Sequence, residues 1–312
     1  MLKNTLPERK GNFPEFGQGY PEFKTGSQFV EFGNMNALGF GGGMSQWSKN
    51  FIYAIEHDIV SPTILTISQK KAIDTFVKKL LFLNSLESNL FRPDNISLSK
   101  LKEVKIYVGG TSNSHKYNLV DPRDLDIAYR ETYNGGTFTH NAIGVSKTGS
   151  GYIDPFITPS TFFLKDNYCI TIYNRNNIAS ATQDWGVYQS GANMTLNSRY
   201  TDDRLFYDGP SRITVTSMTD NTGLITINNN NKIGKVYRNK TYLGGLTNYT
   251  NELATIPFYK GCVNNNGTKG FYKVLELQYA SSGLAFTNET AYFLYVDAIE
   301  KLQYDLGRSL FF

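Results

Sequence analysis

The residues of this chain that could do chemistry are few, and their spacing argues against most reactions. His115, Asp121, Asp124 and His140 are metal-ligand types, but their intervals match no zinc template. Hydrogen bonds that order two Gly-Gly loops are the role their positions favour. Asp124-x-Asp126 is the nearest approach to a carboxylate pair for general acid–base work. It sits in an Asp-Pro turn, where an Asp caps the turn or pairs with Arg123 or Arg130. Ser150, in Gly149-Ser150-Gly151, lacks the Gly-x-Ser-x-Gly frame of a nucleophile elbow. Gly39-Phe40-Gly41-Gly42-Gly43 lacks the Lys-Ser/Thr ending of a phosphate loop and reads as a hinge. Cys169 and Cys262 make neither a disulfide scaffold nor a zinc site and read as small buried apolar residues. The expectation is no catalytic residue, no cofactor and no metal.

Sugar binding asks for less: a ring to stack on the apolar face of the sugar, with amides or carboxylates to fix its hydroxyls. Trp185 and Tyr188, with Asp184 and Gln189, and Tyr207 with Asp208, meet that description and are the candidate glycan contacts. The competing reading places these rings in an aromatic core or a subunit contact.

Composition narrows the classes further. The 312 residues carry 31 basic and 27 acidic side chains, a net charge of +4, too mild to indicate nucleic acid as a partner. No stretch approaches the ~18 consecutive apolar residues of a membrane span. Residues 1–10 show no apolar core of a secretory signal, so a protein made in a cytoplasm is the expectation. Aromatic residues make up 14%, with 21 Tyr and 21 Phe, which favours pleated, half-buried strands.

The elements follow from periodicity and turn chemistry. Residues 1–60 are punctuated by Gly and Pro and read as an extended anchoring arm. The arm repeats Phe13-Pro14-Glu15-Phe16-Gly17 as Tyr20-Pro21-Glu22-Phe23, with an echo at Phe29-Val30-Glu31-Phe32-Gly33. Gly or Pro every few residues prevents a helix or central strand, so these rings must dock on something else, either the rest of this chain or a partner. Phe16, Phe23 and Phe32 are the expected anchors. Within 64–90, Ile73, Phe76, Val77, Leu80 and Leu81 recur at helical spacing, with Ser68 as a cap and a lysine-rich solvent face opposite. From 104 to 280 short strands are expected at Val104–Val108, Asp126–Thr132, Tyr168–Tyr173, Arg212–Ser217, Leu224–Asn228, Lys235–Arg238, Ile256–Cys262 and Tyr272–Tyr279. Turns such as Asn134-Gly135-Gly136 divide them, a pattern of a sandwich or barrel and not of βαβ units. A last helix begins at Thr287 or Asn288, carries Ala291, Leu294, Tyr295, Ala298, Ile299, Leu302 and Leu306, and stops at Gly307.

Several of these stretches occur in an order that resembles a known family. Gly109-Gly110-Thr111-Ser112-Asn113-Ser114-His115 leads to Asp121-Pro122-Arg123-Asp124 and to Tyr133-Asn134-Gly135-Gly136-Thr137-Phe138-Thr139-His140. Tyr237-Arg238-Asn239-Lys240, Phe258-Tyr259-Lys260-Gly261-Cys262 and Leu306-Gly307-Arg308 follow. The ordered set resembles bacteriophage virion proteins built on a concanavalin A-like (laminin-G-like) jelly roll, over roughly residues 62–312. Lys240 departs from the family's turn glycine, and Ser88–Lys100 resembles an insertion. The resemblance implies a mostly β protein: a concanavalin A-like antiparallel β-sandwich over 61–312, with one helix before it, a C-terminal helix and the arm in front. It implies a non-enzymatic virion protein of head, tail, fibre or decoration, made in the host cytoplasm. Its partners would be other virion proteins, copies of itself in a homo-oligomer, and a host-surface glycan. Glycosidases on such sandwiches carry Glu-x-Asp-x-x-Glu along one strand. No such run occurs here.

Overall fold

The computed structural model describes residues 43–209, 211–250 and 252–310. Phe16, Phe23 and Phe32 lie outside the described residues. The helices are α1 (Gln46–Glu56), α2 (Ile67–Leu83), α3 (Ser112–His115), α4 (Pro159–Phe162) and α5 (Glu289–Asp305). The strands run β1 (Leu101–Lys105), β2 (Thr132–Asn134), β3 (Thr137–Asn141), β4 (Gly144–Thr148), β5 (Tyr152–Ile157), β6 (Asn167–Asn174), β7 (Trp185–Tyr188), β8 (Met194–Asn197) and β9 (Leu205–Asp208). They continue with β10 (Ile213–Val215), β11 (Gly223–Asn230), β12 (Ile233–Arg238), β13 (Thr241–Leu246), β14 (Phe258–Lys260), β15 (Val263–Asn265), β16 (Thr268–Gly270) and β17 (Leu275–Gly283).

The strands form two facing sheets, the expected concanavalin A-like β-sandwich. One is ordered β13-β12-β11-β6-β17-β4-β3, with β1 continuing the line of β4 along β17. The other is ordered β10-β9-β8-β7-β14-β5-β2, with the β15–β16 hairpin added beside β7. The pairings between these strands are antiparallel except that of β15 with β7.

A helical layer covers the outer face of the first sheet, and this explains its composition. On β6, Tyr168, Ile170 and Ile172 face the second sheet, while Cys169 and Tyr173 join α1, α2 and α5 in a separate core. β11 divides in the same way, with Ile225 and Ile227 inward and Leu224 toward the helices. A strand wet on one face alternates apolar and polar residues; one buried on both reads as a continuous run. The inward-facing core includes Trp185, Val187, Met194, Leu196, Tyr207 and Phe258 of the second sheet.

Local chemistry sets the helix ends. Thr66, not Ser68, caps α2, with a reciprocal bond from its own N–H to Gln69. Asn288 caps α5, and Gly307 at φ +69° follows its end. Buried Glu87 accepts from the backbone N–H groups of Thr287 and Asn288, at 3.0 and 2.8 Å, and pairs with Lys100. The Ser88–Lys100 segment is thereby tied to the start of α5.

Three expectations need correction. The arm does not extend to residue 60: Gln46–Glu56 is helical, and Phe51, Ile52 and Ile55 fill the same core as α2 and α5. Its apolar positions hold too short a period to stand out beside the glycines that precede them. The expected strand Asp126–Thr132 is a 3-10 turn at Asp126–Ala128, with Tyr129 in the left-handed region at φ 57°. Arg130 bonds back to Asp126 and Asp124, closing the turn, so extended pairing starts only at Thr132. The expected strand Val104–Val108 ends at Lys105, because Tyr107 adopts φ 39°. Lys240 does not strain its turn, because Asn239 takes the left-handed position, at φ 52°.

Glu300 of α5 is tucked beside Tyr173, whose hydroxyl donates to it at 3.2 Å. Burial pushes this carboxyl up to about 7. The folded state therefore holds a proton that an unfolded Glu releases near 4.5, and the associated stability disappears as pH rises from about 4.5 through about 7. Thermal melts across that window should show the wild type losing stability relative to Glu300→Gln, and parallel melting curves would refute this.

Candidate functional site

The residues on which the resemblance rests converge at one end of the sandwich, and several of them bind one another. Gly109 and Gly110 take φ values of +97° and +79°, turning the chain after β1 into α3. Thr111 caps that turn on Ser114. The His115 ring accepts from the Gly110 N–H at Nε2, 3.3 Å, so its proton lies on Nδ1, 3.0 Å from Nδ1 of His140. Burial, then the neighbouring His140, holds His115 well below the usual histidine range, and burial lowers His140 as well. Asp121 is bonded by Arg123, and Asp124 by Lys116 and Arg130. Among the described residues no three His, Cys, Asp or Glu side chains are grouped to hold a metal ion. Asn134-Gly135-Gly136-Thr137 carries the chain from one sheet to the other, with both glycines at positive φ. A side chain at Gly136 would run into the Gly151 backbone.

Arg308 closes this end. Its buried guanidinium donates to the carbonyls of Ile106 (2.6 Å), Tyr107 (2.7 Å) and Gln278 (3.0 Å), and to Gln303 Oε1 (2.6 Å). Burial lowers it to about 9. The signature is thus a clasp joining the C-terminus, the Gly109-Gly110 loop and β17.

A second set of charges is invisible in the linear sequence. Lys260 of β14 lies 2.6 Å from Glu103 of β1 and 2.6 Å from Glu131, and all three are within 2% of full burial. Tyr107 and Tyr133 donate to Glu131 at 3.0 and 3.2 Å. Burial disfavours the Lys260 ammonium, but the two carboxylates outweigh it and the net shift is upward. Lys105 donates to the carbonyls of Lys116 and Tyr129, and burial brings it down to about 8. Lys273, Asp184 and Ser198 form another buried group, with Lys273 Nζ 2.9 Å from Asp184 and Ser198 Oγ donating to Asp184 at 2.9 Å. Ser198 Oγ also accepts from Asn221, at 2.6 Å. Each set has the residue types of an acid–base site, but each is sealed from solvent. Their partners lie as far apart in the chain as 103 and 260, so no local spacing betrays them.

Two of the three candidate glycan rings are corrected by burial. Trp185 is 1% exposed and packs on Phe258 and Tyr207, with ring centroids 5.3 and 5.9 Å away. Tyr207 is 0% exposed and donates to the Tyr168 hydroxyl at 2.8 Å. Both face inward because their strands alternate, with Gly186 and Phe206 on the opposite face. Asp184 is buried beside Lys273, and Gln189 is bonded to Thr255. Tyr188 is the exception, 47% exposed at the outer end of β7. Pairing sets Asn265 of β15 beside Tyr188, and Thr268 of β16 beside Asn265. Cross-strand partners share a face, so a ring, an amide and a hydroxyl stand in one row. That row has the groups sugar binding needs. A cleft of about 110 Å³ between β11–β12 and the start of α5 also has polar walls, but there Tyr237 donates to Glu289, at 2.7 Å.

No family model matches the chain, and no curated protein matches it. Among solved structures it is similar to domain 4 of AbnA, a GH43 extracellular arabinanase from Geobacillus stearothermophilus solved with arabinotriose. The identity is 14% and the TM-score 0.46, covering 63% of this chain and 98% of that one. It is also similar to the binding domain of Botulinum neurotoxin serotype D, at 10% identity and TM-score 0.45, covering 64% of this chain and 50% of that one. A Trypanosoma rangeli sialidase aligns at 12% identity and TM-score 0.45, over 76% of this chain and 39% of its own. No helix among the described residues is long and apolar enough to cross a membrane.

Replacing Lys260 by Met strands two buried carboxylates. Denaturant unfolding should register a loss of about 3–5 kcal/mol, and adding Glu131→Gln should recover part of it. A loss typical of a surface pair would show that the cluster is open to water.

Proposed function

We propose that this chain is a non-enzymatic structural protein of a bacteriophage particle. Its sandwich is displayed from the head or from a tail appendage, fibre or decoration, and its N-terminal arm attaches it to neighbouring virion proteins. The observation that carries this reading is the use made of the signature residues. Gly109, Gly110, His115, Asp121, Gly136, His140 and Arg308 are occupied in holding one end of the fold together. A motif set spent on architecture suits a family whose members are building blocks. The titratable clusters also support a non-catalytic role, because their carboxylates and lysines are paired and sealed.

Contact with a host-surface glycan is the second part of the proposal, and Tyr188, Asn265 and Thr268 are the residues that would make it. Repetition on a particle lets a weak site hold firmly, since linked copies can exceed single-site affinity by about 10²- to 10⁴-fold.

Two experiments test these parts separately. Deleting residues 1–35 should leave a folded body that fails to join particles. Full occupancy of the truncated protein, measured on purified particles, would sink the attachment role. On a glycan array presenting multivalent protein, Tyr188→Ala should abolish signal, whereas Trp185→Phe should retain it as a core change. Unchanged binding by the Tyr188 variant would move the site elsewhere.

A further inference from the structure

The sealed Lys260 cluster needs no incoming substrate to react, because it holds both partners of a condensation. Nζ of Lys260 lies 2.6 Å from Oε1 of Glu131 and 2.6 Å from Oε1 of Glu103. An amine and a carboxyl held this close are the two halves of an amide. Free in water they hardly condense, but fixed partners react as though present at about 10⁵–10⁸ M. The interior adds a second push, because a buried ion pair carries a desolvation cost that a neutral amide does not.

The two carboxyls are not equivalent. Glu131 accepts from the Tyr107 hydroxyl at Oε1, 3.0 Å, and from the Tyr133 hydroxyl at Oε2, 3.2 Å. Donors on both oxygens draw charge away from Cδ and steady an oxyanion formed there. In Glu103, Oε1 meets Lys260, while the buried Oε2 has no hydrogen-bond partner among the described residues. That free oxygen is open to a proton. Electrophile, nucleophile and proton carrier thus come from three segments: Glu131 precedes β2, Lys260 ends β14 and Glu103 lies in β1.

We propose that Lys260 and Glu131 condense spontaneously into an isopeptide bond, with Glu103 carrying the proton. The Lys260 ammonium passes one proton to Glu103, and the freed amine attacks Cδ of Glu131. The Nζ–Cδ bond forms, and Tyr107 holds the charge that gathers on Oε1. Glu103 gives its proton to Oε2, a second proton comes from Nζ, and the Cδ–Oε2 bond breaks to release one water. Ammonium plus carboxylate becomes amide plus water. Glu103 ends as it began, and no oxidant or cofactor is consumed. Lys105, which interacts with both carboxylates, remains as the counter-charge of Glu103. The bond joins residues 129 positions apart, so it restrains the unfolded chain as a long-loop disulfide does.

A second buried pair supplies the contrast. Lys273 lies 2.9 Å from Asp184, but the Asp184 oxygens are taken by the N–H and hydroxyl of Ser198. No second carboxyl bonds Lys273 among the described residues, so that pair stays ionic.

Mass spectrometry of the intact, denatured full chain tests the proposal. The protein should be lighter than its sequence by one water, and a protease digest should contain a branched peptide joining Lys260 to Glu131. Lys260→Arg should restore the full mass. Glu103→Gln keeps the amine beside Glu131 and should leave most of the chain unlinked. Circular dichroism checks that both variants fold, and the wild-type mass decides the question even where they do not. An intact mass equal to that of the sequence would overturn the proposal. So would a water lost elsewhere, as a succinimide at Asp208-Gly209 or an amide between Lys273 and Asp184. Complete linkage in folded Glu103→Gln would overturn the role given to Glu103.

Discussion

The fold depends on a sheet covered on both faces. β6, β11 and β17 lie between the second sheet and the helical layer, so nearly every side chain along them is removed from water. An unpaired polar group on either face of such a strand is costly. Several of their polar side chains are accordingly bonded: Thr171 to Thr226 at 3.2 Å, and Asn228 to both backbone groups of Phe286. The helices are thus the second wall of the molecule, and α1, α2 and α5 share their core with the sheet beneath them.

Placing charges inside such a structure is costly unless each is satisfied, and the protein uses that strictness to fix its geometry. Arg308 is held by carbonyl oxygens from separate segments, which orients all of them at once. The Lys260 cluster joins β14, β1 and the segment before β2 across the sandwich. A salt bridge of this kind is weak support for stability, since an apolar replacement of the whole set could do as well. Its firmer consequence is directional: the partners must meet in one arrangement or leave a stranded ion.

These interior devices leave the surfaces free for other work. The outer end of the second sheet carries the Tyr188 row, and the helical layer covers the opposite side, with Ile67 and Phe82 of α2 exposed on it.

Much of this was legible in the residues. Alternation and turn chemistry announced the sandwich, Asn288 and Gly307 bounded the last helix, and the Gly-Gly stretches announced corners. Those signals are local, because a turn needs particular dihedrals and a cap needs one side chain within three residues. Trp185 and Tyr207 were misplaced as surface rings because a ring has the same composition on either face of a strand. Only the register of the strands decided that they point inward and Tyr188 outward. The pairing of Lys260 with Glu103 and Glu131 was likewise hidden, since long-range electrostatic contacts leave no periodic trace. Local residues set the turns of the sandwich and the limits of α5, because caps and turns act within a few positions; which faces met, which charges were buried and where several other elements stop came from the tertiary structure, because those outcomes depend on distances between residues far apart in the chain.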